Sequence, residues 1–200
     1  MKEGLLFHVG NIALAVFWSF FVWINFSGFL ATNKIALLLA AIDATIVTLL
    51  FVLRTRPRLS SSDPIANGVA FSATFFLLLL RPTGSTDSFF IGTFLLLCGL
   101  LLVIASLLSL GRSFGIVPAL RDIKTAGPYK IVRHPMYSGH IIAGLGYVLA
   151  NPSLWNACIV VLAIALLLFR IRLEEDFMNQ DNSYLNYART TKYRLIPFVY

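Results

Sequence analysis

Residues 127–139 read GPYKIVRHPMYSG, a polar and basic stretch that lies between strongly apolar segments. Its Gly127-Pro128 dipeptide marks a turn. Pro135 has a fixed φ angle and no N–H group, which suits the first position of a helix. A helix that begins there directs its free N–H groups toward Arg133 and His134, and such an end can bind an anion. The spacing alone is equally compatible with a basic membrane-surface loop that serves only topology.

The segments on both sides of this stretch predict a membrane protein. The 200 residues are 58% hydrophobic, and their mean hydropathy is +0.81. Soluble domains of this size are rarely so apolar. We expect an all-α, polytopic transmembrane bundle of about five to six spans, with apolar runs at 5–30, 35–53, 65–80, 88–110, 136–150 and 152–171. The last two runs predict a helical hairpin around the Asn151-Pro152 turn.

The basic residues predict the orientation of the bundle. If six spans cross and the N-terminus is inside, only Lys34 and Arg81 of the 16 Lys and Arg residues lie outside. Positive residues favour the cytosolic side. The net charge of +7 is therefore explained by membrane topology, and nucleic acid is not an expected partner. A five-span variant, in which the third segment is re-entrant, would put the N-terminus outside and remains open.

Three residues inside the apolar runs carry further expectations. Asp43 lies in the middle of the second run, where a charge is costly. It is either part of a polar or proton-transfer site or, as the commoner case, a carboxyl group hydrogen-bonded to a neighbouring helix. Cys98 and Cys158 have no metal-ligand spacing and form no disulfide framework, so we expect them to be small apolar core residues.

Small residues form a stripe on the predicted fifth helix. Gly139, Ala143, Gly146 and Ala150 are spaced by four, three and four positions, which places them on one face. Such stripes allow membrane helices to approach closely. We expect the partner of this face to be the sixth helix, across the Asn151-Pro152 turn.

The motif Gly-Pro-Tyr followed by Arg-His-Pro-x-Tyr-x-Gly at 127–139 resembles a signature of known enzymes. It is similar to that of integral-membrane methyltransferases of the isoprenylcysteine carboxyl methyltransferase and phospholipid methyltransferase type. Their second signature is a Glu-Glu pair at the end of the next hydrophobic helix, where this chain has Glu174-Glu175. A tail that resembles the family's tail follows, with Tyr184, Tyr187 and the run Tyr193-Arg194-Leu195-Ile196-Pro197. The resemblance covers residues 111–200.

The resemblance implies methyl transfer from S-adenosylmethionine to a lipophilic acceptor at the cytosolic membrane face. The acceptor would be a carboxylate of a prenylcysteine-like or isoprenoid compound, or a lipid amine. Membrane lipids are the other expected partners, and a bacterial inner membrane is the expected location. We accordingly divide the chain into N-terminal transmembrane helices (1–110) and a methyltransferase-like core (111–200) that holds a cytosolic loop, the hairpin and the tail.

The resemblance also implies roles for particular residues. Arg170 and Glu174 are the predicted catalytic pair, because their i, i+4 spacing puts them on one helix face. Glu175 is rotated by about a hundred degrees and is expected to pair with Arg172 or to meet solvent. Arg170 and Glu174 could instead be a salt bridge on a solvated helix end. The predicted cofactor-binding residues are Tyr129, Arg133, His134, Pro135, Tyr137, Gly139, Glu174, Glu175 and Arg194.

Two other classes of function share some of these sequence features. Membrane sterol reductases, which use NADPH, resemble this family in the His-Pro-x-Tyr-x-Gly element and in the Tyr-Arg-Leu-Ile-Pro ending. They typically have Asn where this chain has Met136, and they lack a clean Glu-Glu pair. A non-enzymatic transport or binding bundle would predict inverted repeats or paired intramembrane charges. The sequence has no such repeat, and Asp43 has no evident partner within a span.

Overall fold

The computed structural model describes residues 2–83 and 90–199, which are mostly helical. They form seven α-helices: α1 (Lys2–Thr32), α2 (Ile35–Leu53), α3 (Pro64–Phe75), α4 (Phe90–Leu110), α5 (Pro135–Ala150), α6 (Leu154–Met178) and α7 (Asn182–Thr190). Short 3₁₀ turns lie at Phe76–Leu79, Gly111–Ser113 and Gly127–Lys130. The prediction of an all-α bundle is confirmed.

Four of the described helical segments are long and apolar enough to cross a membrane. They are Gly4–Thr32, Ile35–Leu53, Phe90–Ser113 and Leu154–Met178. The predicted third span is a shorter apolar segment, Pro64–Leu79, and the fifth is the 16-residue helix α5. Sixteen helical residues rise about 24 Å, less than the roughly 30 Å of a bilayer's hydrocarbon core. The number of spans therefore stays a prediction, and the expected start of the fourth, residue 88, lies outside the described residues.

Helix α6 is longer than its sequence predicted. It begins at Leu154, where the Ser153 hydroxyl accepts a hydrogen bond from the backbone N–H of Asn156 at 3.1 Å. It continues to Met178 instead of ending near residue 171. The prediction stopped where charged residues begin. These charges do not end the helix, because Arg170 and Glu175 are buried and have partners inside the protein.

The small-residue face of α5 packs mainly against α4, so the predicted partner, α6, was wrong. A Cβ atom added to Gly139 would lie 2.7 Å from Val103 Cγ2 and 2.9 Å from the Gly99 carbonyl oxygen. Near the other end of α5, a Cβ atom added to Gly92 would lie 2.6 Å from the Ala150 nitrogen. Glycines on both helices thus permit direct backbone contact. The sequence did not reveal α4 as the partner of this face. Its matching glycines, Gly92 and Gly99, are seven residues apart and so do not form an obvious stripe of small residues.

A two-stranded ribbon closes the end of the bundle that carries most of the basic residues. Strand β1 (Leu59–Ser60) pairs antiparallel with strand β2 (Ala119–Leu120). Nearby, the Thr55 N–H group donates to the Arg112 carbonyl oxygen at 3.1 Å. These bonds join the loop after α2 to the loop after α4. The two basic loops that were predicted to be cytosolic therefore lie at the same end of the bundle.

The outer surface of the helices is apolar, as expected for a protein that faces lipid. Large side chains such as Trp23 are exposed, whereas Phe51 and Leu107 belong to the interior cluster. Cys98 and Cys158 are also exposed, so the prediction that they are core residues was wrong. An apolar run in a membrane helix does not require burial inside the protein, because lipid covers the outward face.

Candidate functional site

An open cleft lies at the basic end of the bundle. The loop after α4 forms one wall, and the start of α5 and the end of α6 form the floor. Helix α7 supplies the remaining side. The lining includes Ser113, Gly115, Arg121, Lys124, Tyr129, Tyr137, Glu174, Met178, Tyr184 and Tyr187.

The turn before α5 and the C-terminal tail are hydrogen-bonded to each other. The N–H groups of Arg133 and His134 donate to the carbonyl oxygens of Tyr193 and Arg194, each at 2.9 Å. Pro135 is buried and is the first residue of α5, as its fixed φ angle predicted. The tail is therefore docked against the N-terminal end of α5. This brings together two motifs that lie about sixty residues apart in the sequence.

Glu175 is the centre of a buried ion cluster that fastens this junction. Its carboxylate accepts hydrogen bonds from Arg133 Nε at 2.8 Å and from Arg194 Nε at 2.7 Å, and His134 Nε2 lies 3.1 Å from it. Only 5% of Glu175 is exposed. The expectation that Glu175 pairs with Arg172 or meets solvent was therefore wrong. The tail returns over this face of α6 and supplies Arg194, which helix geometry alone could not indicate.

The guanidinium group of Arg133 is engaged within the chain. Besides its two contacts to Glu175, its Nη1 atom donates to the carbonyl oxygens of Thr191 at 3.0 Å and Lys192 at 2.8 Å. These contacts use four of the five N–H donors of Arg133. Arg133 lines the cleft, but its observed contacts fasten the tail. Its role in cofactor binding stays a prediction.

Glu174, unlike its neighbour, faces the cleft. The Tyr137 hydroxyl donates to its Oε2 atom at 2.6 Å, and Arg170 Nε lies 4.0 Å from the same oxygen. About 20% of the Glu174 side chain remains exposed. A carboxylate has roughly four acceptor positions. Glu174 can therefore accept further hydrogen bonds from a cationic group in the cleft.

Arg170 is buried and is bound mainly by residues other than Glu174. Its Nη1 atom donates to the Thr74 hydroxyl at 2.9 Å, and its Nη2 atom donates to the Ile116 carbonyl oxygen at 2.6 Å. The guanidinium carbon also lies 5.0 Å from the centre of the Tyr137 ring. Arg170 does not stand on a solvated helix end, since α3 and the 114–118 segment cover it. Its contacts are structural, and its catalytic role stays a prediction.

Three tyrosines around the cleft remain protonated at neutral pH. Burial raises the pKa of Tyr129, and the negative charge of Glu174 raises it further. Burial also raises the pKa of Tyr184, and it raises that of Tyr187 to about 12. The Tyr187 hydroxyl donates to the Tyr129 carbonyl oxygen at 2.8 Å. These residues therefore offer flat, uncharged aromatic surfaces to the cleft.

The comparison with protein families identifies this part of the molecule. Residues 88–183 match the family model of the phospholipid methyltransferases. This part of the chain belongs to that family of membrane methyltransferases. The match includes α4, the turn before α5 and the Glu174-Glu175 pair, so the resemblance of the two motifs is confirmed. No curated protein matches the chain.

The boundaries of the family match differ from the predicted domain boundary. The match begins before the division at residue 110 and takes in all of α4, the main packing partner of α5. It ends at residue 183, before the tail that contains Arg194. The division at residue 110 stays a prediction. The position of the tail at the site is given by the structure alone.

The predicted cofactor-binding residues fall into two groups in the structure. Those that line the cleft are Tyr129, Arg133, His134, Tyr137 and Glu174. Glu175 and Arg194 instead belong to the ion cluster, and Pro135 is buried at the start of α5. Gly139 faces Val103 on α4, so its place in the motif reflects close helix packing and not a position in the cleft.

The loop after α4 supplies cleft residues that the sequence did not single out. Ser113, Gly115, Arg121 and Lys124 lie along this wall. Loops of this length are uncommon between helices and are often functional. These four residues belong to no recognisable motif, so nothing in the sequence marked their side chains as part of the site.

Proposed function

We propose that the protein transfers a methyl group from S-adenosylmethionine to a lipophilic acceptor, with the cofactor bound in the cleft at the cytosolic face. The observation that carries this proposal is Glu174, a partly exposed carboxylate that Tyr137 holds in a cleft built by methyltransferase-family residues. When bound, S-adenosylmethionine would supply an electrophilic methyl group on a positively charged sulfur. The protein would then have to bind the two reactants, align them and exclude water.

The side chains of the cleft fit the charges of this cofactor. Glu174 would accept hydrogen bonds from its ammonium group. Because four of the five donors of Arg133 are engaged within the chain, Lys124 is the better candidate for its carboxylate. Tyr129 and Tyr187 offer aromatic surfaces for the adenine ring. The chain thus provides a negative group, a positive group and flat walls in one cleft.

The cytosolic orientation is supported by the way the basic segments are joined. The loop after α2, the loop after α4 and the C-terminal tail meet at the cleft end of the bundle through backbone hydrogen bonds. Arg81 is one of the two basic residues predicted to lie outside. It is hydrogen-bonded to Asn156 near the turn between α5 and α6, at the other end of α5 from the cleft. A bundle with its positive end in the cytosol obeys the positive-inside rule, and cytosolic S-adenosylmethionine would reach the cleft directly.

Calorimetry on the purified protein in lipid nanodiscs tests the choice of cofactor. We expect S-adenosylhomocysteine to bind and NADPH not to bind. Glu174→Gln should weaken binding by roughly ten- to a hundredfold, the effect of removing a charged hydrogen bond. Asp176→Asn, a matched change at an exposed position on the same helix, should leave binding unchanged. Binding of NADPH without binding of S-adenosylhomocysteine would overturn the proposal in favour of a reductase.

A further inference from the structure

The tail that follows α7 turns back toward the apolar part of the bundle. After the backbone contacts of Tyr193 and Arg194, the next residue, Leu195, is buried. Its carbonyl oxygen accepts a hydrogen bond from the Ser138 hydroxyl at 2.7 Å. Ser138 belongs to the first turn of α5, which begins at Pro135. The tail therefore passes the start of α5 and continues along its first turn.

The residues packed around Leu195 belong to apolar helices. Leu195 is part of one buried cluster with Ala73 of α3 and with Leu167 and Ile171 of α6. Leu167 comes seven residues before Glu174, so it lies about 10 Å farther from the cleft along the helix axis. The segments that contain Ala73 and Leu167 are both apolar. Leu195 thus lies at the depth where the lipid-facing surface of the bundle begins.

Beyond Leu195, the tail presents large apolar side chains on its surface. Ile196, Phe198 and Val199 are each more than half exposed, and Phe198 is 86% exposed. The Val199 N–H group donates to the Ile196 carbonyl oxygen at 3.2 Å, so these residues form a turn. The ring of Phe198 lies 5.3 Å from that of Tyr193, within the tail itself. A contiguous group of exposed apolar side chains marks a surface that contacts lipid or another molecule.

Two exposed lysines lie close to this apolar turn. Lys192 immediately precedes Tyr193, and its carbonyl oxygen accepts a hydrogen bond from Arg133 Nη1 at 2.8 Å. Lys130 comes three residues before Arg133 and is also exposed. Along the tail, basic, aromatic and apolar residues follow one another in that order. The same order describes the groups that suit the anionic headgroups, the interface and the acyl chains of a bilayer.

We propose that residues 196–199 are a membrane anchor that inserts into the leaflet on the cleft side of the bundle. Phe198 lies among the acyl chains, and Lys130 and Lys192 lie at anionic headgroups. The partner is lipid because Leu195, immediately before the anchor, is already at the lipid-facing depth of the bundle. Since the same tail supplies Arg194 to the ion cluster, the anchor ties the cleft end of the bundle to the bilayer. This inference depends on neither the cofactor nor the acceptor.

Spin labels measure the depth of the anchor. In a variant without native cysteines, a nitroxide at Val199→Cys is compared with one at Val161→Cys, on the exposed face of α6, and one at Thr125→Cys, on the exposed part of the loop after α4. The protein is placed in nanodiscs of phosphatidylcholine and phosphatidylglycerol. The labels at positions 199 and 161 should both collide readily with oxygen. Their collision rates with a water-soluble nickel complex should be roughly tenfold lower than at position 125, because a polar complex enters hydrocarbon poorly.

Two results of this measurement would overturn the proposal. Equal nickel collision rates at positions 199 and 125 would place the turn in water. Low collision rates with both oxygen and nickel at position 199 would mean that protein covers the turn, as a second copy of the chain or another protein would.

Two sets of variants test the named side chains with the label at position 199. Phe198→Glu should raise its nickel collision rate by roughly threefold or more, because a carboxylate is costly to bury in hydrocarbon. Phe198→Leu, which keeps an apolar side chain, should leave the rate unchanged. Equal rates for Phe198→Glu and Phe198→Leu would refute the role of Phe198.

The lysines are tested by changing the lipid. Lys130→Gln combined with Lys192→Gln should raise the nickel collision rate at position 199 by roughly twofold in discs that contain phosphatidylglycerol, because each Lys is attracted to anionic headgroups. In discs of phosphatidylcholine alone, the same double change should have no effect. An equal effect, or none, in both kinds of disc would refute the contact with anionic headgroups.

Discussion

Replacing Glu175 with glutamine should release the C-terminal tail from the bundle. The change keeps the size of the side chain but removes the charge that Arg133, His134 and Arg194 share. One of the two carboxylate oxygens also becomes an NH₂ donor that faces guanidinium groups. The tail should therefore lose the contact that holds it against α6, while the helices themselves remain folded.

The expected size of the effect follows from the burial of the cluster. Removing one partner of a buried ion pair costs about 3–5 kcal/mol, because the remaining charges are left unpaired. The Arg194 side chain is 35% exposed and can be hydrated after the change, so we expect the lower end, about 3 kcal/mol. This corresponds to a population of the released tail that rises by roughly a hundredfold.

Hydrogen exchange provides a local measurement of tail release. The backbone N–H groups of Arg133 and His134 donate to the carbonyl oxygens of Tyr193 and Arg194, so they are protected while the tail is docked. In Glu175→Gln these two amides should exchange roughly a hundredfold faster than in the unaltered protein. Amides in the middle of α4 should exchange at an unchanged rate.

The adjacent Glu174→Gln variant is the matched control. Its side chain faces the cleft, and glutamine can still accept the hydrogen bond of the Tyr137 hydroxyl. Its tail amides should exchange within about threefold of the unaltered rate, while its affinity for S-adenosylhomocysteine falls. Equal protection of the two amides in Glu175→Gln and in the unaltered protein would show that the ion cluster does not hold the tail.

Three further predictions concern the bundle. Arg170→Ala should lower stability by about 3 kcal/mol or more, measured by thermal unfolding, because it leaves buried acceptors unpaired. Arg172→Ala, at an exposed position, should leave stability unchanged. Equal melting temperatures of the two variants would contradict a structural role for Arg170. Gly146→Ala should lower the free energy of unfolding by about 1–3 kcal/mol, because the added methyl group clashes with α4. Gly68→Ala should not lower it, because a Cβ atom at that position meets open space. An unchanged stability of Gly146→Ala would argue against the α4–α5 contact. In a variant without native cysteines, Thr125→Cys should react with a membrane-impermeant thiol reagent only after the cells are permeabilised, and labelling of intact cells would reverse the orientation.

The features that could be predicted from the sequence are those that local physics determines. Long apolar runs gave the helices, with bounds that agree within a few residues for α2 and α4 over the described residues. The fixed φ angle of Pro135 gave the start of α5. The glycine stripe correctly indicated a close helix contact. Each of these depends on residues that are near one another in the chain.

The features that could not be predicted depend on contacts between distant segments. Helix periodicity correctly separated the faces of Glu174 and Glu175, but the partner of Glu175 was missed because Arg194 comes from the returning tail. The partner of the glycine stripe was missed for the same reason, since α4 and α5 are separated by a long loop. The burial of Arg170 beneath α3 was not predicted, because α3 lies about a hundred positions earlier in the chain.

The most direct test of the account is methyl transfer by the purified protein. With S-adenosylmethionine labelled in its methyl group and a total lipid extract as acceptor, the unaltered protein should transfer label to material that partitions into organic solvent. Glu174→Gln should reduce this rate by roughly ten- to a hundredfold at limiting cofactor, and Asp176→Asn should retain it. Absence of label in the organic phase with the unaltered protein, or equal rates for Glu174→Gln and Asp176→Asn, would contradict the assignment of the cleft.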